Sequence, residues 1–227
     1  MSTARQTIKF LNDLYNIFDD AIDVFDVYKV EIVGDGYLVA SGLPYPNGKQ
    51  HAKEISNMAL RLMREVNGFK VNHMRNYKMQ MRMGIHSGSC VGGVVGSKMP
   101  HFSVFGDTVN LASHMESTSE PMKIQISHTT MELLEELGGF NTAVRGKMVV
   151  PRFGEVNNII ICWNNIHIEH LASGNNVLAP GSTHYRTEGA VKFIYTFLLC
   201  KTYLFISTKC VVFVVCNLFI SSIAPRR

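Results

Sequence analysis

The chain has 227 residues, 46% of them hydrophobic and 18% charged, which is enough apolar material for one packed domain plus an extension. A net charge of +4 with no Lys/Arg block argues against a nucleic-acid face, so no nucleic-acid partner is expected. The five cysteines (90, 162, 200, 210 and 216) form no CxxC pair, which reads as reduced thiols rather than a secreted disulfide scaffold.

The start, MSTARQTIKF, is polar and lacks the apolar centre of a signal peptide. Phe10, Leu11, Leu14, Ile17, Phe18, Ala21, Ile22 and Phe25 recur every three to four positions and predict a helix over 8–26. Tyr28, Val30 and Ile32 then alternate with Lys29, Glu31 and Val33, a strand with one buried face and Glu31 on the other. Gly34, Asp35 and Gly36 turn the chain, and 37–41 closes a hairpin. From spacing alone Asp35 reads as turn chemistry and Glu31 as a solvated strand acid; a metal-binding role for Asp35 is the sharper alternative.

Pro44, Pro46 and Gly48 mark a loop, and His51 to Val66 predicts a second helix with Ile55, Met58, Ala59, Leu62 and Val66 inward. Met79, Met81, Met83 and Ile85 share one face of a strand, and a further strand, 91–95, follows Gly88. In MGIHSGSCVGGVVGS, 83–97, the glycines either let backbone come close to something or make bends. His86, flanked by apolar residues, reads as a satisfied core histidine. In FGDTVNLASHMEST, 105–118, Asp107 or Thr108 can cap a helix over 108–116, and a helix N-terminus suits phosphate. Asn110 and His114, at i and i+4, share one face: a pair for a polar ligand, or the wet side of an amphipathic helix.

A strand at 124–126 and a helix at 129–137 follow. The order α-β-β-α-β-β-α-β-α-β implies a mixed sheet with helices packed on it. VRGKMVVPRFGE, 144–155, reads as a solvated turn, with a phosphate clamp as the alternative. Beyond 150–156 periodicity fades. Residues 191–224 are strongly apolar, interrupted by Lys201 and Lys209; the uncharged run from Cys210 is shorter than the roughly 20 residues of a spanning helix, and a tail anchor is one reading of it.

Together, YKVEIVGDGYLVASGLP, MRMGIHSGSCVGGVVG and FGDTVNLASHMES stand in the order and spacing of the class III nucleotidyl cyclases. Over about 9–147 the chain resembles the catalytic domain of receptor-type guanylate cyclases. The resemblance implies an α+β fold, a ferredoxin-like mixed sheet with packed helices, followed by an irregular apolar extension. It divides the chain into a divergent N-terminus (1–8), a partial cyclase domain (9–150) and an unassigned remainder (151–227). The implied activity is conversion of GTP to 3′,5′-cyclic GMP and pyrophosphate, by attack of the ribose 3′-oxygen on the α-phosphate with two Mg²⁺ or Mn²⁺ ions. Such domains pair head to tail, as homodimer or heterodimer, and share each active site. The implied location is the cytoplasmic face of the plasma membrane within a receptor cyclase, and otherwise the cytoplasm; membrane association would come through a parent receptor or the apolar tail.

Carried over by position, Asp35 matches a metal-binding aspartate, Glu31 the acid that selects guanine, and Asn110 the residue that orients the ribose. Ser103 stands where the family usually has a cysteine against the base; a hydroxyl can donate to guanine O6. His114 stands where the family has an arginine on the phosphates, and a histidine lacks that fork. The second metal aspartate belongs to an upstream strand resembling FSDIVGFT, in whose place stands MSTARQTIKF. The family's phosphate lysine falls within residues 151–154, with Arg152 as its substitute. The resemblance thus implies either a guanylate cyclase domain, or an impaired fragment that serves an intact cyclase as a dimerisation or regulatory partner.

Overall fold

The first apolar stripe folds as α1, Ala4–Ile22, displaced towards the N-terminus from the expected 8–26. Thr3 sets its start through a capping box: its Oγ1 accepts from the Gln6 amide at 3.3 Å, and Gln6 Oε1 accepts from the Thr3 amide at 2.8 Å. The computed structural model describes residues 3–33, 36–71, 73, 78–150 and 152–162, and the backbone of 205–216.

β1 (Tyr28–Val33) and β2 (Gly36–Ser41) pair antiparallel, with Val33 opposite Gly36. Then come α2 (Gln50–Gly68), β3 (Arg82–Val95), β4 (His101–Phe105), α3 (Asp107–Ser117), β5 (Ile124–Ile126) and α4 (His128–Leu137). β6 (Thr142–Val150), β7 (Gly154–Ile161) and β8 (Phe205–Cys216) complete the described elements. The sheet runs β1-β2-β8-β3-β5-β7-β6, with β4 paired to the distal half of β3. Among the described strands only β3 and β5 run parallel, so the sheet is mixed, as expected.

Three local expectations change. The two strands foreseen at 79–85 and 91–95 are one 14-residue strand, β3, because its glycines do not bend it. β4 follows Pro100 too closely for its five residues to show a period. Residues 144–155 are not a solvated turn but the body of the β6–β7 hairpin, so the boundary expected near 150–156 falls inside a pair of strands. β6 is exposed on both faces along most of its length, which removes the alternation a half-buried strand would show.

α1, α2 and α4 cover one face of the sheet. The largest core cluster lies there, with Leu14, Phe18, Tyr37, Ile55, Met58, Leu62, Met63, Met81, Met83 and Ile85 all buried. Lys29 Nζ donates to Asp19 Oδ1 at 2.7 Å and the Tyr37 hydroxyl donates to the same carboxylate, tying the hairpin to α1. Burial, reinforced by Asp19, pushes the Tyr37 phenol pKa well up.

α3 lies on the opposite face, close against β3. A Cβ placed on Gly84 would stand 2.1 Å from the Glu116 backbone nitrogen and 2.5 Å from the Ala112 carbonyl oxygen. The close approach therefore demands glycine there. An ion pair from Arg82 Nε to Glu116 Oε1 at 3.2 Å, with Glu116 buried, fastens the far end of α3 to β3. No helix among the described residues is long and apolar enough to cross a membrane.

Candidate active site

A second, smaller core cluster joins the elements that carry the expected site. Leu38 and Ala40 of β2, Cys90 and Val94 of β3, Phe102 and Val104 of β4 and Ala112 of α3 pack together, with Tyr28, Val30 and Val109 against them. The Tyr28 and Phe102 rings meet edge to face at 5.3 Å, which brings β1 up to β4.

Glu31 reaches this side through a backbone irregularity. Lys29 stands opposite Val39, but Glu31 stands opposite Leu38, with a register shift between them. One extra residue in β1 therefore faces a single partner, which is a β-bulge. Strict alternation would put Glu31 on the side of Lys29, towards α1. The bulge instead turns it to the face of Leu38, the face that carries α3 and β4. Glu31 is half-buried and has no hydrogen-bond partner among the described residues. Alternation in the sequence set Glu31 on the face opposite Tyr28 and Val30; the bulge, which leaves no residue signature, puts it on the same face as they are.

Of the other expected residues, one lies on β4 and two on α3. Asp35 lies outside the described residues, between Val33 and Gly36. Ser103 is buried in β4 opposite Gly93, but alternates with Phe102 and Val104 and so is turned away from the cluster they join. Asn110 and His114 share a face of α3; Asn110 is exposed, and the Nε2 of half-buried His114 is buried with no hydrogen-bond partner among the described residues. The N-cap of α3 is Gly106, with no side-chain cap, so neither Asp107 nor Thr108 plays that part. Thr108 instead donates to the Ser89 carbonyl at 2.5 Å and pins the helix start to β3.

The basic stretch at 144–155 is largely committed elsewhere. Arg145 pairs with Glu120 at 2.8 Å and donates to Gln125 Oε1 at 3.2 Å, while Gln125 donates to Thr118 Oγ1 at 2.8 Å and Asn158 Oδ1 at 3.1 Å. This network knits the end of α3 to β5, β6 and β7. Lys147 pairs with Glu155 at 3.4 Å, and exposed Arg152 sits in the β6–β7 turn with φ of 74°.

His86 is the core histidine its neighbours implied. It is buried, with Nδ1 2.7 Å from Ser127 Oγ, and burial lowers its pKa to about 4. The unfolded chain takes up a proton at this imidazole below about pH 6.5, while the folded chain resists it down to about pH 4. The group therefore removes up to about 3 kcal/mol of stability as pH falls through that window, and contributes no such loss above it. Urea midpoints measured at pH 7 and pH 4.5 should separate in the wild type and draw together in His86→Asn; an unchanged separation would exclude His86 as the source.

A cleft of about 600 Å³ lies elsewhere, between the starts of α2 and α4 and the middle of β3, lined by Lys49, His51, Ser87, Ser89, Thr129 and Glu136 among others. Among the described residues none of the expected site residues borders it. Among the described residues no three His, Cys, Asp or Glu side chains are placed to hold a metal ion, so these residues do not by themselves fit a two-metal centre.

Residues 1–163 match the family model described as adenylate and guanylate cyclase catalytic domain. The chain is 48% identical over 155 residues to the atrial natriuretic peptide receptor 2 of Rattus norvegicus, covering 68% of this chain and 15% of that one. It thus spans about 15% of the length of that curated relative. Among solved structures, the guanylate cyclase domain of RhGC from Catenaria anguillulae in complex with GTP superposes with a TM-score of 0.66 at 33% identity, over 71% of this chain and 86% of that one. A dimeric guanylyl cyclase domain of the RhoGC fusion protein from Blastocladiella emersonii gives a TM-score of 0.63 at 31% identity, over 70% of this chain and 85% of that one.

Proposed function

The chain belongs to the adenylate and guanylate cyclase catalytic domains, and from that premise we propose that it is a receptor-type guanylate cyclase domain that works as one side of a shared GTP site. Glu31 accepts hydrogen bonds from the guanine N1–H and 2-amino group, a pattern adenine does not offer. The base contact rests on Glu31, since Ser103 is turned to the other side of β4. Asn110 orients the ribose, and His114 meets the phosphates. Asp35 is the chain's own metal carboxylate and could hold a Mg²⁺ or Mn²⁺ ion that arrives with the triphosphate. Two ions in fixed positions need carboxylates that a partner domain supplies. In a receptor cyclase this assembly lies on the cytoplasmic face of the plasma membrane.

The observation that carries this reading is the β1 bulge, which turns an acid with no hydrogen-bond partner among the described residues onto the face against which α3 packs. A second reading, a regulatory partner with little turnover of its own, is favoured by the composition of β8. That strand pairs with β2 beside the β1–β2 turn, and 205–216, FISTKCVVFVVC, contains no acid.

Cyclic GMP formation from Mn²⁺-GTP separates the two. The chain alone should show no turnover, and mixing it with an intact cyclase domain should change the rate. Turnover by the chain alone that is lost in Asp35→Ala would replace the shared-site reading with a self-sufficient enzyme. Failure to bind a GTP analogue in either setting would remove both.

A further inference from the structure

The central strand of the sheet comes from the far end of the chain. β8 lies between β2 and β3 and is antiparallel to both. All 12 of its residues stand opposite β3, from Phe205 across Gly93 to Cys216 across Arg82. Its other edge pairs Val211–Val215 with Ser41–Tyr37. The stretch shared with cyclases ends at 163, so this strand lies outside it.

The pattern of 205–216 fits the slot. Every described residue of β2 is buried, and β3 is buried along most of its length, so the strand between them needs apolar side chains on both faces. VVFVVC supplies a continuous apolar, β-branched run. The one charge, Lys209, stands opposite Ser89, the exposed residue in the middle of β3. A slip of one residue would set Lys209 against buried Cys90 or half-buried Gly88 and exchange the faces of the whole strand. Polarity therefore specifies the register.

We propose that residues 205–216 are a donor strand, supplied in cis from outside the cyclase-like stretch, and that the groove between β2 and β3 selects them as its occupant. Residues 205–216 are then part of the domain core and not a membrane anchor. The proposal is independent of the nucleotide chemistry. It makes the integrity of a cyclase sheet depend on a segment no cyclase motif covers, so loss of the tail acts on the domain from its centre.

Cross-linking tests the register directly. Cys90 stands opposite position 208, and opposed positions of an antiparallel pair bring Cα atoms to about 4.5–5.5 Å, within disulfide range. In the full chain with Cys162, Cys200, Cys210 and Cys216 changed to alanine, Thr208→Cys should oxidise to an intramolecular disulfide with Cys90, seen as a monomer on a non-reducing gel and by peptide mapping. A covalent dimer would overturn the cis assignment, and absence of the bond would overturn the register. Hydrogen exchange on the unaltered chain guards against a misfolded variant: amides of 211–215 should be protected together with those of 37–41. Fast exchange at 211–215, or uptake of the chain by phosphatidylcholine vesicles that is lost without 191–227, would overturn the proposal in favour of an anchor.

Discussion

Replacing His114 with arginine should raise cyclic GMP formation by about 10²–10³-fold in a complementation assay. The assay mixes this chain with a cyclase domain whose own asparagine, the counterpart of Asn110, has been changed to alanine. The altered partner is then silent by itself, and turnover needs its metal carboxylates together with Glu31 and Asn110 from this chain. Position 114 lies one helical turn beyond Asn110 on the same face of α3. A histidine there offers at most one donor to the phosphates and lacks a planar fork. An arginine offers a permanent charge and a planar fork that matches two phosphate oxygens. The gain should appear in kcat more than in KM, since the charge that needs the cation develops in the transition state. His114→Lys should give a smaller gain. Equal rates for the wild-type and His114→Arg chains, with complementation otherwise working, would show that this position does not face the phosphates.

Gly84→Ala should cost the domain about 3 kcal/mol and lower the melting midpoint by about 6–12 °C. The added methyl would lie 2.1 Å and 2.5 Å from backbone atoms of Glu116 and Ala112. Backbone cannot rotate aside as a side chain can, so α3 must lift from β3. Lifting α3 would also strain the ion pair between Arg82 and buried Glu116, where separated charges are costly. Gly68, at the end of α2 with open space around it, is the control: Gly68→Ala should be neutral or stabilising by up to about 1 kcal/mol. A Gly84→Ala chain that melts within two degrees or so of wild type would show that the helix is not seated as described.

The elements with strong periods were legible in the sequence. The stripes of α1 and α2 follow from burial on one face, seen in Leu14, Phe18, Ile55 and Leu62, whereas the alternation expected of β1 fails: its residues 28–31 are only half-buried, Ile32 is exposed and a bulge interrupts the strand. His86 was legible for the same reason, since apolar neighbours on both sides leave a histidine little but a short internal hydrogen bond. The β6–β7 hairpin was not, because an exposed strand carries no pattern to find. Nor was the place of β8. A run of β-branched residues can be core strand or membrane segment, and the choice depends on a groove made by β2 and β3 more than 100 residues away. For the site, residue identities could be carried over by position, but the direction Glu31 faces is set by one extra residue in β1, which only the pairing with β2 reveals.

The methionine-rich core has a consequence for how such a domain tolerates change. Met58, Met63, Met81 and Met83 are fully buried, and Met83 stands across from Val215 of β8. Unbranched thioethers have three rotatable bonds and mould themselves to irregular gaps, where leucine or isoleucine would insist on one shape. A lining of this kind lets a sheet adopt a central strand of foreign sequence without a matching set of substitutions around it. The same softness leaves the interior open to oxidation whenever the strand is out, because each sulfoxide would set a polar group where the strand must return.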